Sequence, residues 1–190
     1  ADAWEQAETG GLTTLTGRTQ DADGDGLTND QEYASLVKPT VADTDGDGAN
    51  DGVEVNTSLT NPLVADTDGD DMPDGYEITN GLGPLVANGF EDADGDRYPN
   101  VFEYARGSNP VDRASTPTPT YVVNGAGGGT HTTFSAALAA ADVANGQYQI
   151  IGFAPGVYTG TSNTRNLTIA ATKPKLLVIG HYRMGFELSP

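Results

Sequence analysis

The chain contains no cysteine, which excludes a disulfide framework and any thiolate metal or redox chemistry. It has two histidines, His131 and His181, with no acid nearby to complete a zinc site, so ordinary surface or strand-end histidines are expected. Lysine and arginine are scarce: nine against 27 aspartates and glutamates, for a formal charge of −18. A surface of that sign repels phosphate, and nucleic acid is not an expected partner. Nowhere does an apolar run approach the roughly 18–20 residues of a membrane span, so no span is expected. The glycine-rich stretch Gly125–Gly129 lacks the Gly-Lys-Ser/Thr ending and a following ribose-binding acid, which argues against a nucleotide site.

What the chain has in quantity is aspartate in a fixed order. Four segments repeat one pattern: D-A-D-G-D-G-L-T-N-D-Q-E (Asp21–Glu32), D-T-D-G-D-G-A-N-D-G-V-E (Asp43–Glu54), D-T-D-G-D-D-M-P-D-G-Y-E (Asp66–Glu77) and D-A-D-G-D-R-Y-P-N-V-F-E (Asp92–Glu103). Their starts are 22, 23 and 26 residues apart. The usual account of an acidic run is a solvated, disordered segment. Fixed spacing in four copies argues instead for a repeat of calcium loops, since calcium takes six to eight oxygens and the twelve-residue loop supplies them from positions 1, 3, 5, 7, 9 and 12. Carboxylates this close repel one another unless a divalent ion neutralises them.

The expected ligands of about four Ca²⁺ ions follow loop by loop. The first loop offers Asp21, Asp23, Asp25, the Leu27 carbonyl, Asn29 and Glu32. The second offers Asp43, Asp45, Asp47, the Ala49 carbonyl, Asp51 and Glu54. The third offers Asp66, Asp68, Asp70, the Met72 carbonyl, Asp74 and Glu77. The fourth offers Asp92, Asp94, Asp96, the Tyr98 carbonyl, Asn100 and Glu103. Each glutamate is expected to close its cage from the first turn of the following helix. Position 6 calls for a sharp turn and positive φ, which Gly26 and Gly48 supply. Asp71 and Arg97 stand there in the last two copies; arginine tolerates that geometry poorly, so the fourth site is expected to be the weakest or to relax its backbone.

These are not ordinary EF-hands. The entering segments, such as K-P-T-V-A and N-P-L-V-A, contain Pro39 and Pro62 and resist helix, so only the exiting side is expected to be helical. The phrases V-A-D-T-D-G-D-G, T-N-P-L-V-A-D-T-D-G-D and F-E-Y-A-R-G-S-N-P, with the lead-in A-W-E-Q-A-E-T-G-G-L-T, resemble bacterial thrombospondin type 3-like calcium repeats over about residues 1–113. The resemblance implies an extracellular or cell-surface, secreted protein and a calcium-stiffened spacer. The vertebrate relatives carry disulfides; here calcium alone would staple the repeats.

Charge divides the chain. Residues 1–113 hold 25 acids against five basic residues, and residues 114–190 hold Asp142 and Glu187 against four. The main apolar candidates of the repeats are Leu27, Tyr33, Leu36, Val53, Val55, Leu63, Tyr76, Ile78, Val101, Phe102 and Tyr104. At about 25 cal/mol per Å² so thin a core barely offsets the ordering entropy, and folding is expected to be coupled to calcium. Extracellular modules bind it at about 10⁻⁴–10⁻³ M.

A Thr/Pro linker at 114–120 (within R-A-S-T-P-T-P-T) marks the expected boundary, giving repeats over 1–113 and a second domain over 121–190. That domain reads as a strand, Y-V-V-N, then a helix through F-S-A-A-L-A-A-A-D-V-A capped by Thr132 or Thr133 and ended at Asn145-Gly146. Three further strands follow, Y-Q-I-I-G-F-A, N-L-T-I-A and K-L-L-V-I-G-H, with P-G-V-Y-T-G and A-T-K-P turns between them. The helix F-S-A-A-L with I-I-G-F-A-P-G-V-Y-T-G, N-L-T-I and L-L-V-I-G resembles the N-terminal cap and about two rungs of a pectate lyase-like parallel β-helix. The fold class expected is therefore mixed: loop-rich calcium-stapled repeats with short helices, then a cap helix and short parallel strands.

No catalytic residue is expected within these residues, since Asp142 and Glu187 have no partner carboxylate for acid–base work. Two rungs cannot bury a solenoid face alone, so a longer protein or a covering neighbour is expected beyond Pro190. Three readings follow: a calcium-binding structural or adhesive stalk; the non-catalytic front of a secreted polysaccharide-active β-helix enzyme; and a subunit of a head-to-tail filament. The partners left open are a cell-surface glycan or protein, and a second copy docking on the open β-helix edge.

Overall fold

The computed structural model describes residues 17–124, 127–143, 147–154 and 175–180. They form two compact units: residues up to Tyr104 with Asn109–Arg113, and Ala105–Ser108 with those from Ala114 onward.

The first unit repeats one motif, an acidic loop running into a short helix. The helices are α1 (Asn29–Ser35), α2 (Asp51–Val53, continuing as a π-helical turn over Glu54–Ser58), α3 (Asp74–Asn80) and α4 (Asn100–Arg106). Each begins at loop position 9, so the loop itself supplies the helix start. Before α1, Gln31 Oε1 accepts from the Thr28 backbone N–H at 2.9 Å. Pro73 stands just before α3 with extended backbone, where its missing N–H costs nothing. Leu36, Leu59 and Gly81 end their helices in the left-handed conformation at φ 62°, 61° and 70°. The second repeat has one residue more than the first between its position-12 glutamate and its helix end, and the π turn absorbs it.

Little of the interior is aliphatic. The side chains at loop position 7 (Leu27, Ala49, Met72 and Tyr98) are all buried, and Val101 and Phe102 join them from α4. Tyr33, Leu36 and Leu63, expected in that core, are instead 48%, 68% and 44% exposed. Pro39 and Pro62 both stop helix and are buried.

The second unit holds β1 (Tyr121–Val123), α5 (Phe134–Val143), β2 (Gln149–Phe153) and β3 (Leu176–Gly180). The strands form a parallel sheet in the order β1-β2-β3, with Tyr121 opposite Ile151 and Ile151 opposite Val178. Thr133 caps α5, its hydroxyl accepting from the Ala136 N–H at 3.2 Å. Val123, Ala137, Ala141 and Ile151 make the core, with Tyr121, Phe134, Leu138 and Phe153 packed against it. Gly152 leaves room for Pro119: a Cβ there would come within 2.8 Å of the proline ring. These residues amount to one helix on a three-stranded sheet. The expected N-L-T-I-A strand, the P-G-V-Y-T-G turn, Asn145-Gly146, His181, Glu187 and the lead-in at 3–13 lie outside the described residues, as does the Asp142 side chain.

Candidate metal centres

Each loop is folded by its own aspartates. The position-1 carboxylate accepts from the backbone N–H groups at positions 4 and 6: Gly24 and Gly26 on Asp21 at 2.6 and 3.1 Å, and Gly46 and Gly48 on Asp43 at 2.7 and 3.0 Å. Gly69 and Asp71 do the same on Asp66 (2.7 and 2.9 Å), and Gly95 and Arg97 on Asp92 (2.8 and 2.8 Å). One oxygen of the position-5 carboxylate accepts from the position-7 N–H, at 2.7 Å in the first two loops, 3.0 Å in the third and 2.8 Å in the fourth.

This cradle demands a left-handed residue at two places. Position 4 is glycine in every copy, with φ from 76° to 83°. Position 6 has φ 102° at Gly26, 99° at Gly48, 73° at Asp71 and 86° at Arg97. The fourth loop therefore keeps its backbone and places an arginine in strained geometry rather than relaxing. The requirement at position 4 is visible in the invariant D-G-D of all four copies and was not part of the sequence reading.

Several carboxylate oxygens that do not fold the loop are buried and bare. Asp23 Oδ2, both Oε atoms of Glu32, Asp45 Oδ2, Glu54 Oε2, both Oδ atoms of Asp68, Glu77 Oε2, Asp94 Oδ2 and Asp96 Oδ2 have no hydrogen-bond partner. Glu32, Glu54, Glu77 and Glu103, at position 12, are completely buried. A buried carboxylate left in this state is costly unless a cation or a proton compensates it. Burial first, and then the surrounding aspartates, push the Glu32 carboxyl up to about 7 and those of Glu54 and Glu77 up to about 8. Asp23, Asp45, Asp68 and Asp96 are raised as well, by burial above all.

Within each loop the oxygens of positions 1, 3 and 5 converge: Asp21, Asp23 and Asp25; Asp43, Asp45 and Asp47; Asp66, Asp68 and Asp70; Asp92, Asp94 and Asp96, each set within 4.8 Å. The donors are all oxygen, the set a hard cation such as calcium takes. Position 9 behaves differently. Asp51 accepts from the Thr44 N–H and hydroxyl at 2.8 and 2.7 Å, and Asp74 from those of Thr67 at 2.9 and 2.6 Å. Asn29 and Asn100 donate their amides to the carbonyls of Gly17 and Asn88 at 2.7 and 3.1 Å. Position 9 thus ties the helix start to the chain around the loop entrance. At the carbonyl positions Leu27, Ala49, Met72 and Tyr98, the side chains form the core described above.

The repeats also engage one another through the same residues. The second position-5 oxygen accepts from the next repeat: Gly52 N–H on Asp25 Oδ2 and Gly75 N–H on Asp47 Oδ2, both at 2.9 Å. Glycine is required there, since a Cβ on Gly75 would sit 2.7 Å from the Asp47 carbonyl and one on Gly52 would collide with that of Asp25. At the junction of repeats two and three, Asp47, Glu54 and Asp74 bring their oxygens within 4.8 Å of one another. The linear pattern had assigned these three to two separate loops.

No helix among the described residues is long and apolar enough to cross a membrane. No curated protein and no solved structure matches the chain. The family model for the bacterial TSP3 repeat matches residues 21–34 and 43–65, the first loop with most of its helix and the second repeat up to the edge of the third loop. The first two repeats are thus similar to bacterial TSP3 repeats, and the third and fourth share their loop hydrogen bonds and buried position-12 glutamate.

Proposed function

We propose that the acidic half of this chain is an extracellular, calcium-organised structural segment, a stalk whose repeats fold and stiffen as the ions bind. The observation that carries this reading is a completely buried glutamate at position 12 and a buried, bare aspartate oxygen at position 3, repeated in all four loops. Protein side chains supply no counter-charge of that number: the chain has nine lysines and arginines in all. Positions 1, 3, 5 and 12 of each loop would hold one Ca²⁺, which would supply the missing positive charge and cross-link loop to helix. The residues of the second unit act as a small α/β module carried by the stalk, with no catalytic role assigned within the chain.

Isothermal calorimetry on chelator-stripped protein tests the reading. About four ions are expected, with Asp23→Ala, Asp45→Ala, Asp68→Ala and Asp94→Ala each losing one. A flat titration would reduce the aspartate pattern to a charged surface and remove the functional reading with it.

A further inference from the structure

The third junction between repeats is built from different chemistry than the first two. Between the second and third, three carboxylates meet, Asp47, Glu54 and Asp74, and one N–H, that of Gly75, reaches across. At the first junction an aspartate, Asp51, likewise stands at position 9 and the Gly52 N–H reaches Asp25. The third junction has the longest repeat spacing, 26 residues, and the additional chain is used for contact. Its residues Asn88 and Gly89 both donate backbone N–H groups to Asp70 Oδ2, at 2.8 and 2.6 Å. Asn88 is only 8% exposed and directs its side-chain amide to the Gly83 carbonyl and Glu77 Oε1, at 3.3 and 3.4 Å.

The fourth repeat then closes on this segment. Asn100, 1% exposed, donates to the carbonyl and the side-chain oxygen of Asn88 at 3.1 and 3.3 Å, and the Val101 N–H reaches the Gly89 carbonyl at 2.9 Å. Position 9, an aspartate at the two other junctions, is here a neutral amide. The rings of Tyr76 and Tyr104 meet with centroids 4.7 Å apart, adding an apolar contact between α3 and α4.

We infer that the third junction is an amide clasp that does not need a cation, so that repeats three and four stay docked at calcium levels where the other two junctions open. The reason is charge. Three carboxylates with oxygens within 4.8 Å of one another repel strongly without an ion, whereas at the third junction an amide replaces one of the three and Asp70 Oδ2 receives two N–H donors, from Asn88 and Gly89. The array therefore has an order of response: its N-terminal repeats loosen first and its C-terminal pair last. This inference rests on the calcium reading above and adds to it which part of the stalk calcium controls.

Residue-resolved amide exchange by NMR on the full chain, in excess calcium and in excess chelator, tests it. Chelation is expected to speed exchange of the Gly52 and Gly75 amides at least 100-fold and that of Gly89 and Val101 less than 10-fold. Equal acceleration at all four overturns the clasp and leaves the calcium reading standing; no acceleration anywhere overturns both. Asn88→Ala is expected to move Gly89 and Val101 into the chelator-sensitive class, and their staying slow counts against the clasp. In the opposite direction, Asp74→Asn removes one of the three carboxylates at the second junction and is expected to slow Gly75 exchange in chelator. Faster exchange there would overturn the charge argument even if the Asn88 variant fails to fold.

Discussion

The two units of this chain bury opposite kinds of side chain. The first completely buries four glutamates and packs one residue per loop, Leu27, Ala49, Met72 and Tyr98, into a thin interior. The second buries Val123, Ala137, Ala141 and Ile151 between a helix and a parallel sheet. The first interior holds excess negative charge and the described core of the second is apolar, so one unit is expected to be a conditional fold and the other an unconditional one. The hydrophobic effect works at any calcium concentration; a carboxylate cage is favourable only when its cation is present.

Chelation should separate the units most sharply. Calorimetric melting in excess EGTA is expected to lower or abolish the transition of the repeats while leaving that of the second unit in place; a common shift of both would dissolve the distinction. Ile151→Ala is the reciprocal change. It should cost the second unit about 2–5 kcal/mol through lost burial and a cavity, with calcium binding unaltered. Gly75→Ala comes next, at about 1–3 kcal/mol of overpacking against the Asp47 carbonyl, read as a lower melting temperature of the calcium-loaded repeats. A neutral result would mean that the junction gives way at no cost.

Glu32→Gln should cost about tenfold in the affinity of one ion (~1.4 kcal/mol) and, unlike the two preceding changes, stabilise its unit in chelator, because it removes a buried carboxyl that must otherwise stay charged or take up a proton. The same carboxyls set a pH dependence. In the calcium-free form Glu32 keeps its proton up to about pH 7 and Glu54 and Glu77 up to about pH 8, against 4.5 for an unperturbed glutamate. Between those values the folded repeats hold more protons than the unfolded chain, so their stability falls as pH rises from about 4.5 to 8. Urea melts at several pH values check the slope, and calcium binding near pH 7 should release protons, read as a dependence on the buffer's ionisation enthalpy. A rising slope in chelator would contradict the buried-glutamate account.

Much of the candidate site was legible because a metal loop is local. Asp21, Asp23, Asp25 and Glu32 lie within twelve residues, and the alternation that aims them inward is written in the order of the chain. The helix positions were legible too, since Pro39 and Pro62 resist helix on the entering side and leave the exiting side to form it. The core was read less well. Tyr33, Leu36 and Leu63 look like core residues by type, yet a repeat one helix thick has no second layer to cover them. Position 7 was read for its carbonyl alone, and its side chain turned out to carry the packing.

The sequence by itself determined the loops: aspartates at alternate positions with glycine between them can close on a hard cation whatever surrounds them, because ligands and turns are separated by only a few bonds. Only the tertiary structure decided the junctions. That Asp47 and Glu54 meet Asp74 of the following repeat, and that Asn88 and Asn100 take the place of such a cluster one junction later, follows from how each helix start docks on the loop before it. Those contacts join residues 20 or more positions apart at the second junction and depend on the docking angle of rigid units, which no local spacing records.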